Sequence, residues 1–261
     1  MKQRTLTGLV LALVSFLLLC CFRLPFVPEL ASICLGCGAA WEILGACGVK
    51  SKLLRMVCYA WAVLLPLLPL GENRYVMSVL LVLGLCYFTY LMGRIGKPQE
   101  KWMPAASVFL ALGLYRSLAA FGKLSNGAMS LCLTGVICAL TDIFAYLVGS
   151  RFGKHKLAPK VSPGKSVEGA LGGLLVTVVL VTLVFSPYYG NAWAVALYAG
   201  VCSILGQWGD LSMSAVKRVA GVKDFGKIFP GHGGILDRFD SVMFVAPFVS
   251  IAVRFFFYII Q

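Results

Sequence analysis

The sequence predicts an all-α, polytopic membrane protein with about nine transmembrane helices, and three observations lead to this prediction. Hydrophobic residues make up 60% of the 261-residue chain and charged residues only 13%, whereas about a quarter of a soluble domain is charged. Apolar runs of spanning length recur along the chain. The basic residues concentrate in alternate segments between those runs. We expect two of these segments to be functional loops on the cytoplasmic side.

Nine apolar runs come close to the length of about 20 residues that a spanning helix needs. They cover about residues 5–22, 26–48, 54–70, 75–93, 103–122, 127–149, 169–187, 191–213 and 241–260. The first run follows Lys2 and Arg4, so a signal peptide is an alternative interpretation. The bulky sequence CFRLP at the end of this run lacks a small-x-small cleavage site, which favours a span.

The net charge of +13 is explained by orientation in a membrane. With nine spans and a cytoplasmic N-terminus, 18 of the 23 lysines and arginines fall in cytoplasmic segments. This bias follows the positive-inside rule, and a short chain without an extended soluble tail favours a bacterial inner membrane. Basic loops on that side attract anionic lipid headgroups. The charge therefore predicts membrane lipids as partners and no nucleic acid.

The aspartates divide a single membrane domain, residues 1–261, into two parts. All five aspartates lie between positions 142 and 240. We therefore predict that residues 1–125 form an N-terminal scaffold with lipid-facing spans and that residues 126–261 form the catalytic half. The ten cysteines lie in or beside apolar runs, where a buried thiol behaves as a small hydrophobe. They indicate helix packing and not disulfides or a zinc site.

Carboxylates at the ends of two apolar runs indicate a cation site. Asp210, Ser214 and Lys217 share one helix face at i, i+4 and i+7, and Asp237 and Asp240 precede the last run. If the chain returns to the first helix there, the carboxylates converge and repel each other unless a cation lies between them. Oxygen ligands without cysteine or paired histidines suit a hard ion such as Mg²⁺. Structural pairing of Asp210 with Lys217 or another helix is the alternative.

Two glycine-containing loops have the composition of phosphate-binding turns. Gly233 and Gly234 follow His232, and backbone N–H groups in such a turn can hold phosphate oxygens. We expect His232 to contact phosphate or support the site, because one histidine among carboxylates is weak evidence for a transition metal. The other loop, SPGKSVEG at residues 162–169, lacks the Walker spacing. A re-entry turn and a solvated basic turn are the alternatives.

The order and spacing of these residues resemble the signature of the phosphatidate cytidylyltransferase (CDP-diacylglycerol synthase) family. The matching stretches are SAVKR at 214–218, KD at 223–224 and HGGILDRFD at 232–240. Specific motifs cover roughly residues 140–241. The resemblance implies a Mg²⁺-dependent membrane enzyme that transfers the cytidylyl group of CTP to phosphatidate and releases pyrophosphate.

The resemblance also implies roles for individual residues. The metal ligands of a two-cation centre are Asp210 and Asp237, with Mg²⁺ as one cation and K⁺ as a candidate for the second. Together with the pattern, the resemblance predicts as catalytic residues Asp210, Asp237, Lys217, Arg218 and Asp224, of which Asp224 either orients Lys223 or binds the second cation. The predicted substrate-binding residues are Asp142, Tyr146, Ser162, Lys165, Ser166, Glu168, Ser214, Lys223, His232, Gly233, Gly234, Arg238 and Asp240. CTP and phosphatidate are the implied partners, and a homodimer is left open.

Two further function classes compete with this interpretation. A CTP-dependent polyprenol or dolichol kinase would transfer the γ-phosphoryl group and release CDP, but the complete signature favours cytidylyl transfer. An ion transporter is suggested by Glu42, Arg116 and Arg254, because charge inside apolar runs often marks an ion path. The acids nevertheless cluster at the predicted cytoplasmic rim. Gly164 is a departure from the family, which often has Ser-Pro-Lys-Lys-Thr in this loop.

Overall fold

The fold is a bundle of helices with one small hairpin. The computed structural model describes residues 13, 17–22, 24, 26–68, 74–124, 127–226, 228–229 and 233–259, with only the backbone of 189 and 253–259. Within the described residues, eight helices have defined bounds, and residues 17–21 are also helical. The helices are α1 (Val27–Ala46), α2 (Lys52–Leu67), α3 (Arg74–Met92), α4 (Met103–Phe121), α5 (Gly127–Phe152), α6 (Val167–Tyr189), α7 (Ala192–Val219) and α8 (Leu236–Ile259).

Six of these helices, namely α1 and α3 to α7, are long and apolar enough to cross a membrane. This finding covers only the described residues, and it identifies the chain as an integral membrane protein. The predicted all-α polytopic fold is confirmed. The first predicted span, residues 5–22, lies mostly outside the described residues, and α2 has 16 residues. The count of nine spans therefore stays a prediction.

The first predicted cytoplasmic loop contains an antiparallel hairpin that the sequence did not predict. Its strands are β1 (Lys156–Ala158) and β2 (Ser162–Ser166). The backbone continues from β2 directly into α6. At this junction the Ser166 hydroxyl accepts the Gly169 N–H at 3.1 Å and caps the helix. α6 therefore starts two residues before the predicted run.

Close packing of glycines brings the helices around this loop together. A methyl group at Gly169 would lie 2.7 Å from the Ala145 carbonyl oxygen, and one at Gly173 would lie 2.7 Å from the Thr141 carbonyl oxygen. The two glycines, one turn apart on α6, let its backbone approach α5 in the small-xxx-small manner of membrane helices. Gly209 of α7 meets α8 in the same way, since a methyl group there would lie 2.5 Å from the Asp240 carbonyl oxygen.

The N-terminal part contributes to the centre of the bundle as well as to its outside. In α4, 15 of 19 residues are buried, so this helix lies in the interior of the bundle. The Tyr115 hydroxyl of α4 donates to the Phe239 carbonyl of α8 at 3.0 Å. In α1, the Ser32 hydroxyl donates to the Tyr115 carbonyl at 2.9 Å. These contacts connect the N-terminal helices to the helix that carries the C-terminal part of the signature.

Candidate active site

Both of the predicted functional loops lie at one end of the bundle, which we call the polar end. It consists of the hairpin segment 153–166, the described residues of the loop 220–235 (220–226, 228–229 and 233–235) and the helix ends that flank them. Lys165 of β2 pairs with Asp210 of α7, and Arg218 of α7 donates to the Val161 carbonyl at 3.2 Å. The polar end therefore combines the two segments that the sequence predicted to work together.

Asp210 is at the centre of a group of carboxylates and cations. Its carboxylate pairs with the Lys165 ammonium group, and it interacts electrostatically with Asp142 of α5 and Asp240 of α8. Arg238 interacts with Asp142. Because three helices contribute to this group, the predicted convergence of acids from separate stretches occurs in the fold.

Asp237 has a different set of partners. Its Oδ1 accepts from the Lys217 ammonium group at 2.6 Å. Its Oδ2 accepts the backbone N–H of Gly234 at 2.9 Å and of Phe225 at 3.2 Å. Asp237 therefore holds the loop 220–235 against α7, and a cation at Oδ1 would replace Lys217. Asp210 and Asp237 lie at the same end of the bundle, but no contact between them is recorded among the described residues.

The turn before α8 depends on glycine. Gly233 has a φ of 83°, which favours a residue without a side chain, and its carbonyl accepts the Phe229 N–H at 2.9 Å. A methyl group at Gly233 would lie 2.7 Å from Asp237 Oδ2. α8 begins at Leu236, five residues before the predicted run, so Asp237 and Asp240 belong to the first turns of a helix and not to a loop.

Three further predicted residues from the two signature stretches lie at the polar end. Arg218 uses two of its N–H groups to bind the carbonyls of Val161 and Val222, each at 3.2 Å, so it connects the two loops. Ser214 is buried on α7, and Arg238 lies near Asp142. Their roles as substrate contacts stay predictions.

The predicted residues of the hairpin segment divide into one site residue and several structural ones. Lys165 reaches Asp210, whereas Ser166 caps α6. Glu168 accepts the backbone N–H groups of Lys154 and His155 at 3.0 and 3.2 Å, and its Oε1 lies 2.6 Å from His155 Nδ1. Glu168 therefore fixes the start of the hairpin. Ser162 pairs with Ala158 in the sheet.

Three predicted residues have no hydrogen bond or ion pair to this group among the described residues, and a fourth lies outside them. Tyr146 is 74% exposed on α5. Lys223 and Asp224 are exposed, and neither side chain has a hydrogen bond or ion pair to the residues that the structure describes. His232 lies outside the described residues. For these residues the predicted functions rest on the resemblance alone.

Glu42 of α1 contacts the polar end, although the sequence suggested a role for it only in the transporter alternative. Its two carboxylate oxygens accept the backbone N–H groups of Ile235 and Leu236 at 2.7 and 2.8 Å. Arg116 donates to the Leu68 carbonyl, and the side chain of Arg254 lies outside the described residues. The Glu42 carboxylate therefore holds the start of α8. The only feature of the sequence that indicated this residue was its position as a single acid inside an apolar run.

The donor atoms of the polar end fit a hard cation bound together with substrate. Within the described ranges, no group of three or more His, Cys, Asp or Glu side chains is close enough to hold a metal ion. Mg²⁺ commonly binds through one or two carboxylates plus substrate phosphates and water. The carboxylates of Asp142, Asp210 and Asp240 interact with one another, and three oxygen-donor side chains suit an oxygen-binding ion.

Comparison with known proteins identifies the family. Residues 2–256 match the sequence model of the cytidylyltransferase family. The chain belongs to this family. The phosphatidate cytidylyltransferase of Staphylococcus epidermidis (strain RP62A) is 34% identical over 257 residues, which cover 96% of this chain and 98% of the relative. Those of Staphylococcus haemolyticus and Staphylococcus aureus (strain COL) are 33% and 34% identical over the same shares.

The family membership confirms the resemblance that the sequence analysis stated. It covers the N-terminal spans as well as the signature, since the match begins at residue 2. The chain is therefore a nucleotidyltransferase enzyme that is integral to the membrane, and the polar end is its candidate active site.

Proposed function

We propose that this chain transfers the cytidylyl group of CTP to phosphatidate and so forms CDP-diacylglycerol and pyrophosphate. One observation carries the proposal. At a single end of a membrane helix bundle, Asp210 is surrounded by Lys165, Asp142 and Asp240, and the signature residues Lys217 and Asp237 pair beside it. The family and the names of the relatives give the reaction class for this group of charges.

The position of the polar end suits one water-soluble substrate and one lipid. Phosphatidate has two acyl chains, and removing them from the bilayer costs about 0.8 kcal/mol per CH₂. CTP approaches from the water. The proposed reaction therefore takes place at the boundary of the membrane, and we place the polar end of the helices there.

The cytoplasmic side of a bacterial inner membrane is the proposed location of the polar end and of the N-terminus. The basic residues of the hairpin segment and of the loop 220–235 support this orientation through the positive-inside rule. The staphylococcal relatives support a bacterial origin. CTP is then available on the side where the polar end opens.

The reaction needs charge neutralisation more than it needs a base. A phosphatidate oxygen attacks the α-phosphorus of CTP in line, the bond from that phosphorus to the bridging oxygen breaks, and pyrophosphate leaves. A phosphate monoester loses its second proton at about pH 6, so the nucleophile arrives deprotonated. Both reactants are anions, and the cationic side chains of Lys165, Lys217 and Arg238 reduce their repulsion. Positioning and electrostatics dominate such transfers.

The proposed cofactor is Mg²⁺, with a second cation that is Mg²⁺ or K⁺. Asp210 and Asp237 are the proposed ligands, and Asp142 and Asp240 add negative charge beside Asp210. A divalent cation held by these carboxylates would offset the negative charge of the reacting phosphates. In the structure, the ammonium groups of Lys165 and Lys217 bind the carboxylates that would hold the cations. When cations bind there, we expect both ammonium groups to bind substrate phosphates instead.

Other predicted contacts complete the proposal. Ser214 and Arg218 are proposed substrate contacts on α7. Lys223 and Asp224 are exposed in the loop 220–235, where polar side chains can reach a nucleotide. His232, Gly233 and Gly234 are the proposed phosphate turn. A homodimer and contact with membrane lipids belong to the proposal as its assembly and its surroundings.

Product analysis with labelled nucleotide tests the function. Purified protein is incubated with Mg²⁺, phosphatidate and CTP that carries ³²P at the α or the γ position. Cytidylyl transfer places only the α label in lipid. Incorporation of only the γ label would identify a CTP-dependent lipid kinase and reject the proposal.

A further inference from the structure

Glu42 lies outside every motif that the sequence marks for catalysis, yet it contacts the signature. Its side chain is buried at 1% exposure near the end of α1. Its Oε1 accepts the N–H of Ile235 at 2.7 Å, and its Oε2 accepts the N–H of Leu236 at 2.8 Å. Burying a carboxylate is costly unless it is well bonded. Contacts across 193 and 194 positions of sequence therefore indicate a defined role.

The carboxylate stands at the N-terminus of α8. The first N–H groups of a helix have no partner inside the helix, and the helix dipole favours negative charge at this end. Glu42 supplies two acceptors for these groups. Because a helix is rigid over its first turns, fixing its start also fixes Asp237, Arg238 and Asp240, which follow within five residues.

The loop before α8 closes around the same carboxylate. A methyl group at Gly234 would lie 2.2 Å from Glu42 Oε1, and one at Gly226 would lie 3.1 Å from it. The Gly234 N–H donates to Asp237 Oδ2 at 2.9 Å. Three successive N–H groups, at positions 234 to 236, are thus held by two carboxylates, one from α8 and one from α1.

We propose that Glu42 is a positioning residue for the transfer reaction, because it fixes the first turn of α8 and with it the acids and the arginine of the signature. This inference rests on the proposed function. Glu42 binds only backbone groups of the signature and so acts through α8. A displacement of about 1 Å can reduce turnover about 100-fold, so the precision of this contact matters for rate.

Glu42→Gln is the most informative variant because it keeps the size of the side chain. Its amide oxygen accepts one N–H group, while its NH₂ group opposes the other donor and leaves it unsatisfied. We expect kcat to fall about 100-fold, while the KM for phosphatidate changes little, as for an interaction that matters in the transition state.

Ser32→Ala is the matched control. Ser32 is on the same helix, is also 1% exposed, and donates one buried hydrogen bond to the Tyr115 carbonyl at 2.9 Å. Its hydrogen bond goes to the backbone of Tyr115 and not to the hydroxyl group that reaches Phe239, and Ser32 has no hydrogen bond to α8 among the described residues. This variant removes a buried hydrogen bond of α1 and leaves the start of α8 intact.

The test combines kinetics with hydrogen–deuterium exchange of the segment 233–241 in the purified protein. We expect faster exchange in this segment and lower kcat per folded molecule for E42Q, with neither change for S32A. Unchanged exchange in E42Q, or a kcat equal to that of S32A, would overturn the inference. If the wild type forms no CDP-lipid, the proposed function fails, and the exchange comparison still decides whether Glu42 holds α8.

Discussion

The two carboxylate–lysine pairs of the polar end differ in burial. In the Lys165–Asp210 pair the side chains are 28% and 29% exposed, whereas in the Lys217–Asp237 pair they are 12% and 7% exposed. Asp237 also accepts two backbone N–H groups, while Asp210 faces two further carboxylates. One signature aspartate is therefore built into the fold, and the other is surrounded by groups that repel it.

This difference separates stability from reactivity. A buried ion pair is costly to break because the remaining charge loses its partner, and a partly exposed pair contributes little to stability. Lys165 can leave Asp210 with a small loss, so the Lys165–Asp210 pair is suited to exchange its partners for a cation and substrate phosphates. The contacts of Asp237 Oδ2 with the N–H groups of Phe225 and Gly234 keep the loop in place during that exchange.

Removal of Asp237 should have the largest effect. Asp237→Ala leaves the Lys217 ammonium group and two backbone N–H groups without an acceptor, so we expect a loss of about 3–5 kcal/mol in the free energy of unfolding together with loss of activity. Unfolding in mixed micelles measures the first effect. Asp224→Ala is the control, because Asp224 is exposed in the same loop, and it should change stability by less than about 0.5 kcal/mol. If Asp237→Ala and Asp224→Ala had the same free energy of unfolding, the Lys217–Asp237 pair would not stabilise the fold in the way that distinguishes it from the Lys165–Asp210 pair.

Asp210→Asn should separate the two properties most clearly. We expect the free energy of unfolding to change by less than about 1 kcal/mol, because the pair is partly exposed. Turnover should fall at least about 100-fold, since even residues behind a metal ligand have effects of about 10- to 100-fold. The assay is cytidylyl transfer per folded molecule. Wild-type turnover would exclude Asp210 as a ligand.

Lys165→Met tests the exchange of partners with a smaller expected effect. The proposed partner of Lys165 in the complex is a phosphate of CTP, so the apparent KM for CTP should rise about tenfold, equivalent to about 1.4 kcal/mol. Steady-state kinetics with each substrate varied measure this. Lys160→Met is the control, since Lys160 is exposed in the turn of the same hairpin. A change in the phosphatidate dependence alone would show that the loop is misassigned.

Gly164→Lys should have the smallest effect and the opposite sign. Apart from its chain neighbours, no atom lies within 4 Å of a Cβ atom added at Gly164, so this position is open to a side chain, and a lysine restores the charge that the family often has. An added exposed charge is worth about 0–1 kcal/mol, so the KM for CTP should fall by up to about fivefold. A rise in KM would mean that the hairpin is not next to the nucleotide.

The local part of this comparison could be predicted from the sequence, and the long-range part could not. Helix periodicity placed Asp210 and Lys217 on one face, and the order of signature residues gave the family. The pairing of Lys165 with Asp210 depends on the hairpin, which no apolar pattern indicated. The contact of Glu42 with Ile235 joins two residues that are 193 positions apart in the sequence, and no spacing rule predicts which helices become neighbours.

The most direct measurement is a Mg²⁺ titration of cytidylyl transfer with purified wild type and Asp210→Asn, both checked for folding. We expect no turnover in EDTA, saturable activation of the wild type on addition of Mg²⁺, and no recovery of the variant at the concentration that saturates the wild type. Wild-type turnover in EDTA, or identical titration curves for the two proteins, would contradict it.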